Sequence, residues 1–250
     1  MSVKNITVAV TGMAQGFAAG ARTRVASVAL SADALVENVR VRLTGASDPT
    51  RAGLVQIGAE VDGRRVRVQC SAAGVGAAAE RAADALRQRI ADVTGPWRPR
   101  PWPWTSAAAA PAASATLPPG QARIARVKTP TLVWCSPDAA AQTMDAMDYD
   151  IHLFVDPDTE TEAVVYRVGP TGYRVARTVA AGPPKDNRGI PWTLQPGAAN
   201  RLTDEQAVDR LEKARLPHLF YADPDTGFGR VLYRRFDGHY GLLRPAGGLA

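Results

Sequence analysis

One stretch of this chain is written twice, and the two copies stand 67 residues apart without a gap. The later copy reads Phe220-Tyr221-Ala222-Asp223-Pro224-Asp225-Thr226-Gly227, then Val231-Leu232-Tyr233-Arg234-Arg235-Phe236-Asp237-Gly238-His239-Tyr240-Gly241-Leu242. The earlier copy keeps Phe154-Val155-Asp156-Pro157-Asp158-Thr159, Val164-Val165-Tyr166-Arg167 and Gly172-Tyr173. An ungapped repeat restricts the fold to tandem copies of one small unit. Each copy opens on a helix signal: Ser136-Pro137-Asp138 in the first, and Thr203 with Gln206 as a capping box in the second. Three strand-like runs follow, over 151–155, 163–168 and 173–176, and again over 219–222, 230–236 and 239–243.

A unit of about 50 residues has little core of its own. Its apolar strands need a partner, and two copies in one chain can supply it to each other. The residues expected to pair the modules are Phe154, Val165, Tyr166 and Tyr173 in the first copy. In the second they are Tyr221, Leu232, Tyr233, Arg235, Asp237 and Tyr240. The charges fit this weakly, since 123–180 carries 6 basic and 8 acidic residues and 185–250 carries 10 and 8.

Residues 1–95 follow a different pattern. A short β-rich run at Asn5–Val10 precedes an Ala-rich helix over 14–30. Strict alternation marks strands at 38–44, 54–61 and 65–70, with a hairpin turn at Asp62-Gly63. A helix over 75–93 presents Val75, Ala79, Ala82, Leu86, Ile90 and Val93 on one stripe. The predicted class is therefore α+β: an N-terminal β-α-β-β-β-α domain and two small tandem modules, at 122–180 and 201–250. Pro/Ala-rich joins at 96–121 and 181–200 link them, with Trp192 expected at the edge of the second module.

If both helices cover one sheet face, alternation sends Val39, Val41, Leu43, Val55, Ile57, Ala59, Val66 and Val68 inward. Arg40, Arg42, Arg65 and Arg67 then share the open face. Residues 1–105 hold 14 Lys/Arg against 8 Asp/Glu, while 106–250 hold 16 of each, so the net charge of +6 sits in the N-terminal region. That asymmetry points to a polyanion such as RNA, read by guanidinium forks. Arg22 and Arg24 on the first helix, and Arg81, Arg87 and Arg89 on the second, extend the candidate surface. The plainer alternative is charge for solubility and edge protection. Trp97, Trp102 and Trp104 in the first join either stack on RNA bases beside Arg98 and Arg100 or dock on the chain's own domains.

Enzymatic and metal signatures do not emerge. Asp223-x-Asp225-x-Gly227 begins like a calcium loop, but Arg234 stands where the bidentate Glu belongs, which favours a capped hairpin turn. The three histidines lack zinc spacing, and Cys70 and Cys135 read as small apolar residues. No Walker or nucleophile-elbow motif occurs, so neither a cofactor nor a catalytic residue is assigned. Two unpaired cysteines, no signal-peptide pattern and no apolar run of membrane length suggest a cytoplasmic protein without membrane contact.

The run from Val231 to Pro245 resembles the C-terminal module of long, S30AE-type ribosome hibernation-promoting factors, whose pattern is V-Y-R-R-x-D-G-x-Y-G-L-I-x-P. Glu205-Gln206-Ala207-Val208 and Asp225-Thr226-Gly227 fit as well, and the N-terminal element order is similar to the family's ribosome-binding domain. Two C-terminal modules with an Ala-rich composition resemble actinobacterial, mycobacterial-type dormancy or hypoxia factors. The resemblance implies a stress-response translation inhibitor that is not an enzyme. It would bind the 30S subunit and its 16S rRNA at the decoding region. Family C-terminal modules pair between chains and join two ribosomes. Here the first copy has Arg167-Val168-Gly169-Pro170 in place of the Arg-Arg-x-Asp-Gly core. It is expected to pair with the second copy inside one chain and hold single 70S ribosomes. A general RNA-binding adaptor, using the modules for protein contacts, is the other reading.

Overall fold

The computed structural model describes residues 6–11, 15–45, 52–99, 117, 120–168, 172–183 and 192–246. The chain divides into two compact units, residues 1–113 with 145–149 and residues 114–144 with 150–250.

The first unit runs β1 (Ile6–Thr11), a 3-10 turn at Gln15–Phe17, α1 (Ala18–Ser31), β2 (Val36–Thr44), β3 (Ala52–Val61), β4 (Arg64–Ala73) and α2 (Val75–Thr94). α1 crosses from β1 to β2, which therefore lie parallel, while β2, β3 and β4 are antiparallel neighbours. Asp62 and Gly63 both take positive φ, 47° and 77°, the backbone a two-residue hairpin needs. All eight residues assigned inward by alternation are buried, in one cluster with Ala21, Val25 and Val28 of α1 and Ala79, Ala82, Leu86 and Ile90 of α2. Val93 reaches only the margin of that cluster.

The second unit runs β5 (Ile124–Lys128), α3 (Pro137–Ala146), β6 (Ile151–Asp156), β7 (Thr161–Val168), β8 (Gly172–Arg177), β9 (Trp192–Leu194), α4 (Asp204–Lys213), β10 (His218–Ala222), β11 (Gly229–Arg234) and β12 (Tyr240–Leu243). Both helix starts are capped as their sequences predict. Ser136 Oγ accepts the Ala139 amide at 3.3 Å, and Thr203 and Gln206 close a reciprocal capping box. The antiparallel strands β6-β7-β8 and β10-β11-β12 form the centres of two sheets.

Each sheet gains its fourth strand from an unexpected place. β9 lies parallel to β8, matching Arg174 to Thr193 and Val175 to Leu194. β5 lies parallel to β12, matching Gly241 to Arg126 and Leu242 to Val127. Shifted by 67, these are the same pairings. The strand leading into the first copy thus completes the sheet of the second, and the strand leading into the second completes the sheet of the first. The join at 181–200 therefore holds a strand, and Trp192 sits at the edge of the first module's sheet, not the second's.

Candidate nucleic-acid interface and module contact

The open face of the first sheet is built by register. Thr7, Arg40, Gly58 and Arg67 form one row across the four strands, and Ala9, Arg42, Gln56 and Gln69 the next. Gly58 has no side chain, so the surface dips between Arg40 and Arg67. The resulting shallow depression of ≈ 250 Å³ is lined by Thr7, Arg40, Arg42, Gln56, Gly58 and Arg67 among others. Arg40, Arg42 and Arg65 are exposed and Arg67 is half-buried. Gln69 Oε1 accepts from Arg67 Nη2 at 2.6 Å and from Gln56 Nε2 at 2.5 Å, which fixes the Arg67 fork against the sheet. Arg65 stands 3.9 Å from Glu60, a weak and solvated pair. Among the described residues no carboxylate lies within ion-pair distance of Arg40 or Arg42.

The helical arginines are placed differently. Arg22 is exposed, whereas Arg24 is tied to Glu80 at 2.8 Å and Arg87 to Asp84 at 2.7 Å. Arg81 donates to the Ser71 carbonyl at 3.3 Å. Arg89 is buried on α2 with Ile90 and Leu86, so its guanidinium does not share a solvent face with the others. The four sheet arginines are brought together; the five on helices are not. Trp97 is half-buried, and Trp102 and Trp104 lie outside the described residues.

The two modules meet through one apolar cluster. It joins Ile151, Leu153, Val164 and Ala176 of the first sheet to Val231 of the second, with Tyr166, Phe220 and Leu243 packed against it. The contact repeats itself under the 67-residue offset, since Leu153, Val164 and Ala176 correspond to Phe220, Val231 and Leu243. The Tyr166 ring meets His218 edge-on at 5.5 Å. Gly229, the counterpart of Glu162, marks the closest approach. A Cβ there would stand 2.8 Å from Glu162 Cβ and 2.9 Å from the Phe220 ring.

Of the ten residues picked from sequence for module contact, Tyr166 belongs to this cluster. Tyr221, Leu232 and Tyr240 face the other way, into a core with Ala207 and Leu211 of α4. Phe154, Val165 and Tyr173 occupy the equivalent helix-side face of the first module and are fully buried. Tyr233 lies half-buried with its ring over Gly241, and Arg235 and Asp237 bind each other at 2.6 Å in the last hairpin. Aromatic size drew attention to the wrong side of each sheet. The better signal was the run Ile151–Val155, apolar at every position but His152, with Leu153, Phe154 and Val155 in succession, which implies burial on both faces.

The Asp-Pro-Asp-Thr turn is a polar anchor, and its two copies are neutralised differently. Asp223 Oδ1 accepts from the Thr226 amide and hydroxyl, both at 2.8 Å, and from the Asp225 amide at 3.2 Å. Arg230 binds Asp223 at 2.5 Å and Asp204 at 2.7 Å, and the Tyr221 hydroxyl donates to Asp204 at 2.7 Å. Against the cost of burial, the Thr226 hydrogen bonds and Arg230 hold the Asp223 carboxyl below its ordinary range. The calcium-like spacing is thus a capped turn. In the first copy the counterpart of Arg230 is Ala163. Its cross-strand neighbour Arg177 reaches in instead, binding the fully buried Asp156 at 2.6 Å and the Gly182 carbonyl at 2.5 Å. Burial, then the charge of Asp156, push the Cys135 thiol up to about 11, so it is not a thiolate at neutral pH. Among the described residues no group of three metal-ligating side chains occurs, and no helix is long and apolar enough to cross a membrane.

An arginine-bearing open sheet and a duplicated, strand-exchanged module define a two-unit α+β protein. A family model described as "Sigma 54 modulation/S30EA ribosomal protein C terminus" matches residues 120–175, the first copy, beginning just ahead of β5. The "Dormancy associated translation inhibitor" of Mycobacterium tuberculosis, in two strains, is 36% identical over 83% of this chain and 76% of its own length. The chain belongs to the long-form, S30AE-type ribosome hibernation-promoting factor family. Among solved structures, the Thermus thermophilus Protein Y N-terminal domain matches with 22% identity and a TM-score of 0.29, covering 34% of this chain and 94% of that one.

Proposed function

We propose that this protein inhibits translation by occupying the small ribosomal subunit at its decoding region, and that it holds single 70S ribosomes. The M. tuberculosis relative's name supports translation inhibition. The four sheet arginines support contact with 16S rRNA, since bidentate forks suit phosphate oxygens and Arg40 and Arg42 meet no carboxylate among the described residues.

The module arrangement carries the second part. In this reading, the apolar face that would otherwise recruit a second chain is covered by the other copy, and the exchanged strands β5 and β9 fasten the pair. A closed pair leaves one ribosome-binding unit per particle, acting by binding alone. Chemical footprinting of 16S rRNA tests the site. Protection confined to the decoding region is expected, weakened when Arg40, Arg42, Arg65 and Arg67 are changed together to Ala. Diffuse or absent protection would favour a general RNA-binding adaptor.

A further inference from the structure

Between Asp92 and Asp138 the sequence contains no acidic residue, yet it carries Arg98, Arg100, Arg123, Arg126 and Lys128. The last three belong to β5 and its approach. β5 is the outermost strand of its sheet, and residues 125–128 are exposed, as is Arg123. The overall neutrality of residues 106–250 conceals this basic edge. Among the described residues no carboxylate lies within ion-pair distance of Arg123 or Arg126. Lys128 is steadied above the Tyr233 ring, 5.8 Å from its centre.

We infer that the β5 edge is a second RNA-contacting surface, which binds phosphate backbone separately from the arginine-bearing sheet. Register puts Arg126 beside Gly241 and Lys128 beside Leu243, so both lie on one side of the strand. Residues two apart on a strand are about 6.7 Å apart, comparable to the separation of successive phosphates along an extended nucleic-acid strand. No aromatic side chain lies on β5, so the contact is electrostatic and indifferent to sequence. Basic residues on an edge strand also prevent edge-to-edge association. That role predicts that neutral variants aggregate, not that they lose RNA.

This inference takes the ribosome as partner from the proposed function, so two probes are used with the full-length protein: purified 70S ribosomes and a mixed-sequence RNA hairpin. The variant Arg123→Gln/Arg126→Gln/Lys128→Gln should bind the hairpin at least five-fold more weakly than wild type. Its slope of log affinity against log salt should be shallower by about 2, since each phosphate contact contributes roughly 0.7–0.9. Arg126→Gln/Lys128→Gln should show about two-thirds of that change, and hydrogen exchange in the β10–β12 strands should match wild type in both. Unchanged hairpin affinity and slope, or no hairpin binding by the wild type, would overturn the inference. Weaker ribosome binding with unchanged hairpin binding would assign the edge to a ribosomal protein and overturn the RNA assignment. If the wild type fails on ribosomes while hairpin binding still follows β5, the proposed function falls and this inference stands.

Discussion

Changing Arg177 to Ala strands a buried carboxylate. Asp156 has no exposed surface, and Arg177 is 2% exposed. Their side chains meet twice, Nε to Oδ2 at 2.7 Å and Nη2 to Oδ2 at 2.6 Å. Without the guanidinium, Asp156 keeps one side-chain hydrogen bond, from the Asp158 amide at 2.9 Å. Removing one partner of such a pair typically costs about 3–5 kcal/mol. That raises the opening equilibrium of the first module by roughly two to four powers of ten. Hydrogen exchange of the full-length protein reads this locally: β6, β7 and β8 amides lose protection, while β1–β4 serve as the internal control. The second copy suggests a rescue. It holds its arginine at the position equivalent to Ala163, directly across the strand pair from Arg177. Ala163→Arg combined with Arg177→Ala returns the charge to that position and should recover much of the loss. If Arg177→Ala leaves β6–β8 exchange unchanged, the claim that Arg177 compensates for the missing Arg230 counterpart is refuted.

Two other perturbations test the module contact. Gly229→Val pushes a branched side chain into the space beside Glu162 and Phe220. Overpacking of that kind costs about 1–3 kcal/mol, seen as faster exchange in β7 and β11 together; an effect on β11 alone would contradict the contact. Acidification probes the same region, because burial lowers His218 and His152 to about 4 from an ordinary value of 6.5. Below pH 6.5 the unfolded chain binds protons that the folded chain refuses, so stability is full above that pH and falls down to about pH 4. The loss is roughly 3 kcal/mol per histidine. Unfolding midpoints measured from pH 7 to pH 4 should decline, and His218→Phe should remove part of the slope; an unaltered slope in that variant would reject the assignment.

Strict alternation made the first sheet legible, since Val39-Arg40-Val41-Arg42-Leu43 can be half-buried in only one way. The caps at Ser136 and Thr203 and the Asp62-Gly63 turn were equally local, so no distant information was needed. The repeat itself announced the modules. What stayed hidden depends on long-range pairing. Ile124-Ala125-Arg126-Val127-Lys128 is short, with two charges among its five residues, and nothing within it says that its partner is Tyr240–Leu243. Trp192–Leu194 is shorter still and follows a Pro/Gly-rich stretch that reads as linker. The module face was missed for a different reason. Phe154, Tyr173, Tyr221 and Tyr240 are the bulkiest residues and fill the core beside each helix, while the contact between modules uses smaller ones such as Val164, Ala176, Val231 and Gly229. Arg89 occupies a buried helical position that an apolar stripe would not include.

The central claim, one closed module pair and one ribosome per chain, is tested by sedimenting purified 70S ribosomes with the full-length protein through a sucrose gradient. The account predicts that the protein travels with a single 70S peak at near-equal stoichiometry. It also predicts that loosening the module contact with Gly229→Val shifts material toward faster-sedimenting particles. A dominant 100S peak formed by the wild-type protein would contradict it.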